Sequence, residues 1–257
     1  MFGKSLYRQQ SHHLNKMGVK ELNRAFFTHY TVQVYAIMFA ALIAGSIYLG
    51  ISMAEAGFAG FVTLALFPVF WYITHRYIMH GSFMWKSPIT AGLFKRIHYD
   101  HHQDPHHLEV LFGALYTTLP STALTTMPFG YAIAGLPGAM FAYAIGLFMT
   151  TVYEYVHCIQ HLNFKPKNRF LMELKKHHMM HHFHDEDGNF GITNFTVDKI
   201  LGTFYERSER KVRSTTVNNL GYTDEEAVKY PWVAELSGGV DNRPIHEKRK
   251  ASANPAE

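Results

Sequence analysis

No lysine or arginine occurs between Ala25 and His75, or between Ile97 and Phe164. Inside these stretches lie four uncharged apolar runs: Thr31 to Ile51, Ala56 to Ile73, Val110 to Met127 and Gly135 to Val152. About 20 apolar residues in a helix span the hydrocarbon core of a bilayer. The chain is therefore expected to be all-α and integral to a membrane, with four transmembrane helices in two hairpins. Glu55 and Gly57 are expected to interrupt the first pair. Pro128, Phe129 and Gly130 are expected to join the second, with Pro120 kinking or ending part of the third helix. Four buried helices of a soluble protein would need more polar cover than this chain offers. Hydrophobic residues make up 47% and charged residues 17%, against about 25% charged in ordinary soluble domains.

The cationic side chains set the expected orientation. They lie in the N-terminal arm, in the segment with Lys86, Lys95 and Arg96, in the segment from Lys165 to Lys176, and in the tail. The positive-inside rule places all of these in the cytoplasm and both hairpin turns on the other side. Residues 1–28 read as a cytoplasmic arm with no signal-peptide core, 29–205 as the membrane domain with its catalytic cap, and 206–257 as a polar tail. Phe2, Leu6, Leu14, Met17, Leu22, Phe26 and Phe27 could form an interfacial helix or lie on a solvated arm. The expected location is a bacterial inner membrane, or the endoplasmic reticulum of a eukaryote. The net charge of +4 does not indicate nucleic acid, because the basic residues flank apolar runs instead of sharing one face. The single cysteine, Cys158, excludes an intramolecular disulfide framework and a cysteine-based zinc site.

Ten of the eighteen histidines fall into four clusters: His75-x4-His80, His98-x2-His101-His102, His157-x3-His161 and His178-x2-His181-His182. At the histidine frequency of this chain, a His-x2-His-His would arise by chance about 0.1 times, and two are present. Imidazole is the commonest side-chain metal ligand. Residues at i, i+3 and i+4 share a helical face. His98, His101 and His102 are therefore expected to converge, as are His178, His181 and His182. His75 and His80 are five apart and do not share an α-helical face, so the second membrane helix is expected to end near His75, with Gly81 aiding the turn. Ten ligands around two metals give five each. Such a set suits octahedral iron with one position open for dioxygen, whereas tetrahedral zinc needs fewer and has no redox chemistry. Zinc can nonetheless occupy such a site in purified protein. Glu154, Asp100, Glu173, Asp185 and Asp187 are candidates to orient the rings. His106, His107, His177 and His184 are expected to be mostly non-ligands.

These spacings resemble the fatty acid hydroxylase and sterol desaturase superfamily of membrane di-metal oxygenases. They look most like its fatty acid 2-hydroxylase branch. The similarity runs over about residues 60 to 205. It includes Leu174 to Phe183, Phe190-Gly191-Ile192, Tyr153-Glu154, and Asp198 with Leu201-Gly202-Thr203. The resemblance implies that the ten histidines hold two iron ions, with dioxygen as co-substrate. It implies hydroxylation of a long-chain membrane lipid, preferentially at carbon 2 of a fatty acyl chain, free or within a sphingolipid. The run His75 to Gly81 looks instead like carotenoid ring hydroxylases. The paired prolines that often follow the second cluster in the 2-hydroxylases are absent after His102. A carotenoid or sterol hydroxylase or desaturase is therefore the close alternative. A histidine-rich metal transporter or sensor is the alternative from another class; it would place ionisable residues inside the spans. No nucleotide fingerprint, cysteine cluster or haem domain is evident in this sequence. Electrons are therefore expected from a separate donor, a ferredoxin or a cytochrome b5-like protein. Lys86, Lys95, Arg96, Lys165, Lys167 and Arg169 would form its docking face.

Overall fold

The computed structural model describes residues 12–241 and residue 243; Phe2, Leu6 and the tail from Ala251 to Glu257 lie outside them. All regular elements among the described residues are helical. Helix α1 (Val19–Thr28) leads into α2 (Tyr30–Tyr48) and α3 (Met53–Ile73), and α3 continues as a π-helical turn, Thr74–Met79. Helix α4 (Pro88–Phe94) passes through a second π-helical turn, Lys95–Tyr99, into α5 (Asp100–Gln103). The short α6 (Leu108–Leu111) precedes the long α7 (Leu115–His161). Then come α8 (Arg169–Phe183), α9 (Thr196–Ile200), α10 (Asp224–Lys229) and α11 (Trp232–Ser237).

Three helical stretches are long and apolar enough to cross a membrane: Tyr30–Tyr48, Met53–Met79 and Leu108–His161. The sequence suggested four. The third stretch holds two of the four apolar runs, because α7 is helical on both sides of a break at Ala134 and Gly135. Gly135 has φ +60° there, a conformation natural to glycine. The two halves fold back on each other. Tyr143 donates to the Leu119 carbonyl at 3.1 Å, and the Thr122 and Thr150 hydroxyls lie 3.3 Å apart. A methyl group on Gly130 would collide with the Gly138 carbonyl, so two glycines allow the backbones to touch next to the turn.

Both turns differ from expectation in place. Glu55 does not break a helix but starts one. Its carboxylate accepts from Ser52 N–H at 2.9 Å, and its own N–H donates to Ser52 Oγ at 3.3 Å, a reciprocal cap. The first turn is therefore Leu49 to Ser52. The second falls at Ala134 and Gly135, some residues after Pro128. Pro120 and Pro128 stay within helix. Nearby threonines bind helix carbonyls: Thr125 donates to Ser121 at 2.8 Å and Thr126 to Thr122 at 2.7 Å.

Helices α2 and α3 pack against α7. Their outer faces are apolar and bare, as at Ile37, Phe61 and Leu124, each about 67% exposed or more. That pattern fits hydrocarbon rather than water as solvent. Leu14, Leu22 and Phe26 of the N-terminal region are fully buried against Phe112, Cys158 and Leu162, so this region packs onto the protein. The segment after Glu206 is equally integral despite its polarity. Leu220, Tyr222 and Val233 close a core with Trp85, Phe94 and Tyr99.

Candidate metal centre

The structure brings all ten clustered histidines together at one end of the helices. They form two groups of five: His75, His80, His98, His102 and His181, and His101, His157, His161, His178 and His182. Within each group the ligand nitrogens lie within 4.8 Å of one another. Nine of the rings are buried and His80 is half-buried.

Helix geometry explains the division. A π-helical turn closes hydrogen bonds between i and i+5, and His80 N–H donates to the His75 carbonyl at 3.1 Å. Residues five apart, which diverge on an α-helix, therefore share a face in this turn. The two His-x2-His-His triads do not each serve one group. His98 and His102 face the first group and His101 the second; His181 faces the first, and His178 and His182 the second. Each triad straddles the boundary, so the Lys95–Tyr99 turn with α5, and α8, connect the groups.

The distances suit metal ligation better than hydrogen bonding among the rings. His98 Nε2 lies 3.1 Å from His75 Nε2 and 2.9 Å from His80 Nε2. His157 Nε2 lies 3.1 Å from His101 Nε2 and 3.3 Å from His161 Nε2, which is 2.9 Å from His178 Nε2. One imidazole nitrogen carries either one proton or one lone pair, so it cannot bond two neighbouring nitrogens in this way. Nitrogens bound at about 2.1 Å in adjacent octahedral positions would lie about 3.0 Å apart. Further nitrogens, His102 Nε2, His181 Nε2 and both of His182, are buried without a partner. Burial holds His80, His98, His101, His102, His178, His181 and His182 well below the ordinary histidine range, so they are neutral and able to ligate. The residues present fit a pair of metal ions.

Three of the five rings of the first group are oriented by backbone carbonyls. His75 Nδ1 donates to Phe190 at 2.6 Å, His181 Nδ1 to Gly188 at 2.8 Å and His102 Nδ1 to Val217 at 2.9 Å. Each contact fixes the tautomer that turns Nε2 inward. None of the five carboxylates expected in this role hydrogen-bonds a clustered histidine. Asp100 pairs with Lys95 at 2.7 Å and Asp185 with Arg210 at 2.7 Å. Asp185 also accepts from Asp187 N–H at 2.9 Å. Glu173 lies beside His177, and Glu154 bonds Gly113 and Tyr35. Asp198 acts at one remove. It accepts from Phe190 N–H at 2.9 Å, Gly191 N–H at 2.8 Å and Thr203 Oγ1 at 2.8 Å, and so braces the loop that holds His75. The pattern of acidic residues could reveal Asp198, but not which carbonyls it positions.

The other histidines have different partners. His106 donates to the His161 carbonyl at 3.1 Å, His107 pairs with Glu109 at 2.8 Å and His184 donates to the Arg210 carbonyl. His177 joins Glu173 and Glu206 in a third cluster, which contains carboxylates, but Lys176 lies 2.8 Å from Glu206 and supplies its counter-charge.

A cavity of about 460 Å³ opens onto both groups. His75, His98, His101 and His157 stand at its wall, with apolar side chains such as Ile78, Leu111 and Leu124 around the remainder. Its volume and lining suit a small apolar ligand or part of a lipid chain.

Comparison with known proteins agrees with this geometry. Residues 58–203 match the sequence profile of the fatty acid hydroxylase family. The chain is 28% identical over 165 residues to a dihydroceramide fatty acyl 2-hydroxylase of Arabidopsis thaliana, covering 63% of this chain and 66% of that one. It is 28% identical over 159 residues to the fatty acid 2-hydroxylase of Mus musculus, covering 59% of this chain and 41% of the other. These matches span less than two thirds of either relative. The visible hydroxylase domain of full-length scs7p shares the fold, with a TM-score of 0.58 at 22% identity over 74% of this chain and 69% of that one.

Proposed function

The chain belongs to the fatty acid hydroxylase family, and we propose that it is a membrane monooxygenase that hydroxylates carbon 2 of a long fatty acyl chain, with an N-acyl sphingolipid as preferred substrate. The observation that carries this reading is the apolar cavity ending at two groups of five histidines. The curated relatives' names, a dihydroceramide fatty acyl 2-hydroxylase and a fatty acid 2-hydroxylase, favour the same substrate class.

His75, His80, His98, His102 and His181 would hold one iron, and His101, His157, His161, His178 and His182 the other. Bound iron supplies the activation of dioxygen: one oxygen atom enters the C–H bond and the other leaves as water, with two electrons and two protons consumed. The chain's own residues place the substrate. Apolar side chains hold the alkyl chain out of water, and the carbonyl-anchored rings keep the centre rigid.

Four membrane spans in two hairpins, with both termini and the histidines in the cytoplasm, remain our reading of the topology, supported by the reversal at Gly135 and the Lys and Arg distribution. The divisions 1–28, 29–205 and 206–257 are kept as sequence boundaries, with residues of the first and third packing onto the second. A separate donor, a ferredoxin or cytochrome b5-like protein, would deliver electrons from the cytoplasmic side. Of the six basic residues suggested for its docking, Lys95 is paired with Asp100, and Arg96 donates to the Glu109 and Phe112 carbonyls. Lys86, Lys165, Lys167 and Arg169 are left to form the face.

Expression in a host that lacks 2-hydroxylated lipids, followed by lipid analysis, tests the function. We expect 2-hydroxyacyl lipid with the wild-type chain and none with His101→Ala. Hydroxylated carotenoid or sterol in its place would overturn the substrate assignment.

A further inference from the structure

Two basic segments far apart in sequence meet at the end of α7. Asn163 N–H donates to the Leu14 carbonyl at 3.2 Å. Leu14, Leu22 and Leu162 share one buried cluster, with Phe164 packed against it. This contact sets Lys16, two residues after Leu14, beside Lys165, two residues after Asn163. Lys20 on α1, and Lys167 and Arg169 around the start of α8, extend the same side, and all five are exposed. The loop between α7 and α8 is anchored at several points. Phe164 packs on the cluster, Pro166 is buried, and Asn168 accepts from Leu171 N–H at 3.0 Å. Its cations are therefore held in fixed positions.

The charge on this face is uncompensated. None of the five cations forms an ion pair among the described residues. Glu21 is the one acidic residue within residues 1–28 and 162–172, and it accepts from Gly18 N–H at 3.0 Å to cap α1. Lys86 belongs to a different surface. It lies 5.1 Å over the Trp85 ring, in the cluster closed by the C-terminal segment. Like charges gathered without counter-charges attract an acidic partner and speed its encounter.

The position of the face selects a soluble protein over lipid headgroups. Tyr155 donates to Asn23 at 2.6 Å, whereas Asn163 donates to Leu14. These two contacts are eight residues apart along the end of α7, about 12 Å of helix rise. The chain thus climbs away from the bilayer as it runs back from Asn23 to Leu14, and Lys16 and Lys165 stand at the far end of that climb. The face also lies over the second histidine group. Exposed Asn163 is two residues from His161, at most about 7 Å of extended chain. The first group is instead covered by the Gly188 and Phe190 carbonyls and by Val217.

We propose that Lys16, Lys20, Lys165, Lys167 and Arg169 form the docking surface for an acidic one-electron carrier protein, whose electrons enter at the second histidine group. The inference rests on the oxygenase reading given above. Each docking oxidises one carrier by one electron. Two dockings and two protons balance the insertion of one atom of dioxygen into a C–H bond and the release of the other as water.

The test uses full-length protein in nanodiscs of zwitterionic lipid. The probes are two acidic carriers, the haem domain of a cytochrome b5 and a plant-type ferredoxin, each labelled for binding by fluorescence anisotropy. At least one is expected to bind the wild type. Its Kd should rise about tenfold or more at low salt in the double variant Lys16→Glu with Lys165→Glu. The difference should close at about 0.5 M salt, where exposed charges are screened. Lys229→Glu, the same charge change on α10, should leave Kd unchanged. Carbodiimide cross-links to the carrier should fall on Lys16, Lys20, Lys165 or Lys167. An unchanged Kd in the double variant would overturn the proposal, as would cross-links confined to Lys86 or Lys199, or a wild type that binds neither carrier. So would a double variant that binds the carrier normally and loses only its retention of an anionic phospholipid, since the face would then be a lipid contact. A carrier that docks here but whose electrons give no hydroxylated lipid would leave the docking surface standing and overturn the lipid-hydroxylase reading.

Discussion

His102 Nδ1 donates to the Val217 carbonyl at 2.9 Å, across 115 residues of chain. The next residue repeats the link, with Gln103 Nε2 donating to the Asn218 carbonyl at 2.6 Å. Val217 lies beyond the family-matched region, yet it orients a histidine of the first group. It is held there by Leu220, Tyr222 and Val233, which pack on Trp85, Phe94 and Tyr99.

The C-terminal segment is therefore expected to govern metal retention. Tyr222 is fully buried and donates to the Tyr230 carbonyl at 2.7 Å. Tyr222→Ala should destabilise the cap by about 3–5 kcal/mol and lower the metal-to-chain ratio. Tyr222→Phe, which keeps the packing, should cost about 1 kcal/mol. Denaturation in detergent with elemental analysis of each variant checks this. Wild-type metal content in Tyr222→Ala would refute the link.

Asp198 braces the loop whose Phe190 carbonyl orients His75. Asp198→Asn loses a charged acceptor for two backbone donors. We expect a fall in metal affinity of about 10–100-fold, read by competition with a graded chelator. An unchanged competition curve would mean that the loop holds His75 without Asp198.

Acid should weaken the metal-free protein. Burial holds seven of the cap histidines well below the ordinary value of 6.5. As pH falls through about 6.5 the unfolded chain takes up protons that the folded chain refuses, so stability is full above that value and declines below it. Protons also compete with metal for the same nitrogens. The thermal midpoint of metal-free protein should be lower at pH 5.5 than at pH 7.5. A midpoint that holds or rises on acidification contradicts buried neutral imidazoles.

Membrane orientation can be read with single cysteines. Cys158 is fully buried and should stay silent. Ser52→Cys and Leu136→Cys, at the two turns, should react with an impermeant reagent from outside the cytoplasm. Ser208→Cys, on the exposed loop after α9, should react only from within. Labelling of Ser208→Cys and Leu136→Cys from the same side would reject the four-span reading.

The ten histidines were legible because their spacing and frequency are improbable by chance. Their sorting was not, since it depends on π-helical turns at Thr74–Met79 and Lys95–Tyr99, where the period departs from 3.6 residues. The groups that orient His75, His102 and His181 were hidden for a different reason: they are backbone carbonyls, which every residue type supplies. The apolar runs were visible, but their turns were misplaced. Glu55 reads as a break until its bond to Ser52 is seen, and prolines read as breaks although Pro120 and Pro128 lie within α7. Tyr222 and Val233 looked like parts of a polar tail because an isolated apolar residue in a polar segment carries no periodic signal.

The central claim is that the two histidine groups together support insertion of one oxygen atom beside an acyl carbonyl. Iron-loaded full-length protein in nanodiscs, supplied with a reduced donor, an N-acyl lipid and ¹⁸O₂, tests it by mass spectrometry of the product. The expected result is one ¹⁸O at carbon 2 of the acyl chain, lost in both His101→Ala and His181→Ala. Product oxygen drawn from water, or ¹⁸O insertion that survives both substitutions, would contradict it.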